Sequence, residues 1–214
     1  MPASLDPKSG PATEIANLGW FMIILGSVIW VVVTVLLLIA LFRRRVSIEP
    51  YQALPKDQDQ RAVNLWIISG GVILPALILF ILIALTVGTL RSIPVERTSA
   101  SLVVEVVGHQ WWWEVKYPGH EITLTDELRI PVGEPVKISL TSADVIHSFW
   151  VPELHGKFDL IPGRNYEFIL QADQAGEYAG RCAEFCGLDH THMAFLVIAM
   201  ESAEFTAWLA GGEN

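Results

Sequence analysis

Apolar and polar positions divide this chain near residue 90. Before it lie two runs without a single charge, Leu18 to Phe42 and Val63 to Leu90, of 25 and 28 residues. A helix needs about 20 apolar residues to cross the hydrocarbon of a bilayer. One that is apolar on every face has no side to offer to water. Both runs therefore predict membrane-spanning helices, over 18–42 and 63–90. Residues 1–17, with Pro2, Pro7, Gly10 and Pro11, predict a flexible tail, and 43–62 predicts a polar connecting loop. Pro75, shortly after Gly70 and Gly71, predicts a kink in the second helix, which a membrane tolerates where neighbours complete the hydrogen bonding.

From residue 91 to 214 the period changes to two. Alternation over 101–107, 114–117, 128–130, 135–140, 166–170, 176–179 and 194–199 predicts short strands. Pro118-Gly119, Gly133, Pro162-Gly163 and Gly176 punctuate them as turns. Strands this short and frequent predict an all-β Greek-key sandwich or small barrel. A short helix capped by Ser202 closes the pattern, reaching Leu209.

Charge sharpens the division. Residues 91–214 carry 18 acidic against 8 basic residues. Such a domain argues against nucleic acid and suits a cationic partner drawn in by its field. Arg43, Arg44, Arg45, Lys56 and Arg61 crowd the connecting loop, whereas the tail holds Lys8 alone. The excess places the loop on the cytoplasmic side and both termini outside. No basic region followed by a short apolar core and a cleavage site opens the chain, so no cleavable signal peptide is expected.

The chemistry concentrates in Gly180-Arg-Cys-Ala-Glu-Phe-Cys-Gly-Leu-Asp-His-Thr-His-Met193, which holds both cysteines of the protein. Its pattern is Cys182-x3-Cys186-x3-His190-x2-Met193. Thiolates and a thioether beside an imidazole favour copper over hard cations. A single-copper site needs one cysteine; two can bridge two coppers, each then capped by a histidine. His147, in Asp144-Val-Ile-His-Ser-Phe-Trp150, is the best placed second histidine. A disulfide would leave His190 and Met193 unexplained, and zinc would not need Met193. Neither is excluded by spacing alone. No Cys-x-x-Cys-His occurs, so no covalently attached c-type haem is expected on this chain.

Cys182 to Met193, together with His147-Ser-Phe-Trp-Val-Pro152, resemble the dinuclear copper (CuA) site of cytochrome c oxidase subunit II. The resemblance implies a two-helix anchor followed by a cupredoxin-like domain. It also implies bridging by Cys182 and Cys186, capping by His147 and His190, and a weak axial bond from Met193. Glu184 would supply its main-chain carbonyl to the copper and its carboxylate to a magnesium ion shared with the catalytic subunit. In Gly108-His-Gln-Trp-Trp-Trp113, Trp111 matches the tryptophan through which cytochrome c delivers electrons. Three consecutive tryptophans on a strand cannot share one face, so at least one is expected to be exposed. Lys157, Asp159 and Arg164 match positions that face the catalytic subunit in relatives.

The function so implied is part of an enzyme. The chain would take electrons from cytochrome c and pass them to haem in subunit I, where oxygen is reduced to water. Its partners would be subunit I, other oxidase subunits and the lipid bilayer, in a bacterial plasma membrane ahead of the mitochondrial inner membrane. The acid near the start of the second helix that serves a proton path in many relatives has no counterpart between Asp59 and Leu90. Quinol oxidase subunit II shares the fold but lacks the copper ligands, and nitrous oxide reductase carries a similar loop on a soluble enzyme. An alternative of another class is a membrane-anchored copper carrier or assembly protein. Among the other histidines, His109 and His120 are expected to be structural, His155 lies where relatives vary, and His192 belongs beside the site or on the surface.

Overall fold

The computed structural model describes residues 3–43, 58–92 and 100–211. The chain divides into two units, Leu18–Arg91 and the residues on either side of it. In the first unit, most of α1 (Gly10–Arg43) is followed by α2 (Gln58–Ile68), a π-helical turn (Ser69–Ile73) and α3 (Leu74–Ser92). Two helical stretches, Gly10–Arg43 and Gln60–Ser92, are long and apolar enough to cross a membrane, and the expected spans fall within them. Their large apolar side chains, Leu36, Leu37, Phe80 and Leu90 among them, stand exposed. Ser27, Thr34 and Thr86 donate to the carbonyls of Ile23, Trp30 and Leu82 at 2.7, 2.8 and 2.8 Å, so these hydroxyls are satisfied without water. The helix irregularity expected at Pro75 takes the form of the π turn. Leu74 N–H bonds the Ser69 carbonyl five residues back, and Pro75 follows with no N–H to give. Arg44, Arg45 and Lys56, which carry much of the basic-loop argument, lie outside the described residues.

Among its described residues the second unit has ten strands. They are β1 (Leu102–His109), β2 (Trp112–Tyr117), β3 (Ile122–Thr125), β4 (Glu127–Pro131), β5 (Val136–Ser142), β6 (His147–Trp150), β7 (Phe158–Leu160), β8 (Tyr166–Leu170), β9 (Gly176–Cys182) and β10 (Ala194–Met200). One sheet has the order β3-β2-β1-β5-β8 and the other β4-β10-β9-β6-β7. The chain crosses between sheets, so β1 runs parallel to β5 and β10 parallel to β4 while the other pairs are antiparallel. This is the expected cupredoxin-like Greek-key sandwich. Val104, Val106, Trp113, Ile138 and Leu140 of one sheet share a buried core with Leu128, Ile130, Leu160 and Val197 of the other. A last helix, α4 (Ser202–Gly211), buries Phe205 and sets Trp208 against Tyr117. Its Ser202 hydroxyl donates to the Glu134 carboxylate at 2.7 Å.

The N-terminal residues depart from expectation. Described residues 3–17 do not form a free tail but belong with the sandwich. Lys8 N–H bonds the Glu153 carbonyl at 2.8 Å, and Asp173 N–H bonds the Lys8 carbonyl at 2.9 Å. Ser9 is buried; its hydroxyl donates to the Leu154 carbonyl and accepts Ala12 N–H at 3.2 Å. That second bond caps the first turn of α1, in which Pro11 needs no N–H partner. Ala12 and Ala16, one turn apart, bury the same face. The prolines and polar residues that read as a tail are the capping chemistry of a helix that starts early.

The loop that receives Ser9 also holds His155, buried against Phe158 and Phe168 at centroid distances of 4.9 and 5.5 Å. Burial pushes its pKa from 6.5 down to about 4, against a smaller opposing effect of the Gly156 main chain. Between those values the unfolded chain takes up a proton that the folded chain refuses, so stability held above pH 6.5 is lost as pH falls through 4. The whole loss amounts to roughly 3 kcal/mol. His155→Leu should therefore move the acid-unfolding midpoint, followed by tryptophan fluorescence, to lower pH; an unchanged midpoint would acquit this histidine. Ser9→Ala should cost about 1 kcal/mol, as cap losses do. Faster amide exchange at Ala12 and Asp173 is the expected signature, and unaltered exchange at both would refute the clasp.

Candidate metal centre

Strand pairing assembles the cluster. β9 and β10 are antiparallel neighbours, with Ala194 opposite Arg181, so the chain leaving Cys182 returns at Met193. Cys182 N–H bonds the Met193 carbonyl at 2.9 Å and closes the neck of the loop. β6 lies on the other side of β9 with Phe149 opposite Cys182, which brings His147 alongside. A short 3₁₀ turn, His190–His192, then directs His190 back towards the sulfurs.

The six candidate ligands converge. The Cys182 and Cys186 Sγ atoms are 3.8 Å apart and both cysteines are free, so no disulfide joins them. His147 Nδ1 lies 3.9 Å from Cys182 Sγ, and His190 Nδ1 lies 3.5 Å from Cys186 Sγ. Met193 Sδ stands 3.6 Å from Cys186 Sγ, and the Glu184 carbonyl accepts from the Cys182 thiol at 3.2 Å. Ligand atoms of His147, Cys182 and Cys186 all fall within 4.8 Å of one another. His147, Cys182, Cys186 and Met193 are buried. Two thiols, two imidazole nitrogens and a thioether form a soft donor set, and that chemistry fits copper.

The neighbours of the ligands tune them. Burial works against ionising Cys182, but His147 and main-chain groups at Ser148 and Glu184 outweigh it and hold the thiol at about 6. Cys186 is pushed up to about 12, first by burial and then by the charge on Cys182. Asp144 Oδ1 meets His147 Nε2 at 2.7 Å, leaving Nδ1 to face the sulfur. An outer carboxylate of this kind fixes both tautomer and ring orientation. Asp144 had no assigned role from sequence; its position three residues before the histidine was the available signal.

The aromatic segment differs from expectation. None of the three tryptophans is exposed: Trp113 is in the core, and Trp111 and Trp112 are half-buried. Trp111 falls in the turn between β1 and β2, joined to Gln110 by a cis peptide bond, so it does not share the strand alternation assumed for it. Its ring closes on the ligand loop, where a Cβ added at Gly187 would come within 3.2 Å of Nε1. Trp112 stacks on His109 at 4.2 Å. Phe185 and Leu188 of the ligand loop are instead exposed, at 76% and 97%. His192 points outward and pairs with Asp189 at 2.7 Å. The Glu184 carboxylate pairs with Lys157 at 3.5 Å, and the same ammonium holds Asp159 at 2.6 Å.

Comparison with known proteins agrees with this geometry. The family described as cytochrome c oxidase subunit II, periplasmic domain, matches residues 120–200. Cytochrome c oxidase subunit 2 of Alkalihalophilus pseudofirmus is 34% identical over 97% of the chain and 61% of its own length. Quinol oxidase subunit 2 of Bacillus cereus is 32% identical over 97% of the chain and 72% of its length. The chain thus spans about three-fifths of the first of these relatives. The periplasmic domain of cytochrome oxidase subunit II from Bradyrhizobium japonicum superposes with a TM-score of 0.51 at 30% identity, over 54% of this chain and 95% of that one. With two apolar helices, a sandwich of this topology and a soft-donor cluster on its loops, the chain belongs to the cytochrome c oxidase subunit II family.

Proposed function

We propose that this chain receives electrons for a haem–copper oxidase, accepting them from a cytochrome c and passing them to haem in the catalytic subunit, which reduces oxygen. The observation that carries the reading is the convergence of both thiols, both imidazole Nδ1 atoms, the Met193 thioether and the Glu184 carbonyl at 3.2 to 3.9 Å. A pair of coppers held there would take up and release one electron with little change of geometry. Cys182, Cys186, His147, His190 and Met193, with the Glu184 carbonyl, would hold those coppers and supply a soft donor set that suits one-electron exchange. Buried donors keep water from the site, which limits reorganisation around a change of charge. A carrier that hands copper on would be served by an open, low-coordination site, unlike this buried and nearly closed one.

The electron donor is read from charge. The sequence from residue 91 carries 18 acids against 8 bases, which would steer a cationic haem protein. Trp111, packed on the ligand loop, is the proposed point of electron transfer from that donor. The quinol oxidase relative offers a second reading, but a quinol donor gives these sulfur and imidazole ligands no task. A magnesium ion at the Glu184 carboxylate would share that group with the Lys157 ammonium, 3.5 Å from Oε2. The helices would anchor the chain in a bacterial plasma membrane with both termini on the outer side, an orientation supported by the basic residues of 43–62.

The full chain, purified in detergent and loaded with copper, should bind two coppers. Its electron paramagnetic resonance spectrum should show one electron shared by both, and Cys186→Ser should abolish that pattern. One localised copper, or a preference for tightly bound zinc, would defeat the reading. Trp111→Leu in the assembled oxidase should leave the copper spectrum intact while slowing electron uptake from reduced cytochrome c by about tenfold or more. An unchanged rate would remove Trp111 from the path.

A further inference from the structure

The turn between β1 and β2 touches the copper site from two sides. At Gly108 an added Cβ would lie 3.0 Å from His147 Cδ2, so the ring of this ligand rests directly on the backbone of β1. Two residues on, Gln110 makes a pair of long-range bonds. Its main-chain N–H donates to Asp144 Oδ2 at 2.7 Å, and the other oxygen of Asp144 holds His147 Nε2. Its side-chain Nε2 donates to the Cys186 carbonyl at 2.7 Å. One residue therefore joins the segment that presents His147 to the loop that presents Cys186.

The tip of that loop is otherwise held by the Trp111 ring against Gly187 and by a bond within the loop, His190 N–H to the Gly187 carbonyl at 3.3 Å. Phe185 and Leu188, on either side of Cys186-Gly187, are exposed, and Phe185 meets the His190 ring of the same loop at 5.8 Å. The bonds at Cys182 and Ala183 secure only its base. Gly187 has φ of +124°, and a Cβ there would come within 3.0 Å of Gln110 Nε2. A glycine at this point admits the amide to the Cys186 carbonyl. We propose that Gln110 is a positioning residue of the copper centre: through Asp144 and the Cys186 carbonyl it sets the separation between the His147 and Cys186 ligands. The inference rests on the copper reading above. It assigns Gln110 no contact with the metal, only control of where two ligands stand, and outer contacts of that kind alter metal affinity by about 10- to 100-fold.

The test compares the full chain with Gln110→Met, which keeps the length and the main-chain N–H to Asp144 but has no side-chain donor for the Cys186 carbonyl, and with Gln110→Ala. Three quantities are read: the rate of copper loss to an excess of chelator, the copper hyperfine pattern, and the thermal midpoint of the metal-free protein. The expected result is copper loss about tenfold faster or more in both variants, with an altered hyperfine pattern and an unchanged metal-free midpoint. Loss rates and spectra equal to those of the unaltered chain would overturn the inference while leaving the copper reading intact. Faster loss matched by a lowered metal-free midpoint would overturn it too, since Gln110 would then serve the fold alone. An unaltered chain that takes up no copper would overturn the copper reading and this inference together.

Discussion

Two thiols held 3.8 Å apart without bonding are the constraint around which the sandwich is arranged. Burial resists the thiolate on both cysteines, and a second negative charge beside the first is harder still. The structure answers this unequally. Contact with His147 draws the Cys182 thiol down, while burial and the charge of the neighbouring sulfur push Cys186 up. A metal held by both sulfurs would require the proton to leave Cys186. A cation is what completes the electrostatics of this loop.

Strand register does the rest of the work. Three neighbouring strands, β6, β9 and β10, carry the ligands or abut them, and each pairing fixes a ligand in relation to Cys182. Because a slip of one residue reverses the face of every side chain, the core that sets the register also sets the ligand distances. Phe195 illustrates the coupling. Its ring lies where any side chain at Gly180 would have to go, two residues from Cys182, and it stacks on Phe149 two residues from His147. Core packing and ligand spacing are here the same set of contacts.

Much of this was legible from residue order alone. Charge-free runs announced the helices, and the spacing of Cys182, Cys186, His190 and Met193 announced a soft-metal site before any geometry. What escaped depends on contacts between distant residues. β3, β6 and β7 are only three or four residues long, and β6 spends its positions on a buried histidine and serine, so no clean alternation marks it. The Asp144 and Gln110 bonds cross 34 and 76 residues of chain, a separation that leaves no periodic trace. Trp111 matched a family position, yet its half-burial follows from a turn that a strand pattern cannot show. The N-terminal residues misled because prolines and polar side chains serve a helix cap as readily as a loose end.

The Ser9 clasp bears on the order in which the protein is made. The sandwich unit draws on both ends of the chain, residues 3–17 and the stretch from 100 onward, with the two apolar helices between them. A ribosome delivers the Ser9 segment first and its binding loop around Leu154 only after both helices have been synthesised. Until then the buried faces of Ala12 and Ala16 have no sandwich to cover them. The sandwich is thus a discontinuous domain whose completion waits on the making of the two apolar helices, so that a chain with unfinished helices is also one with an unfinished ligand cluster.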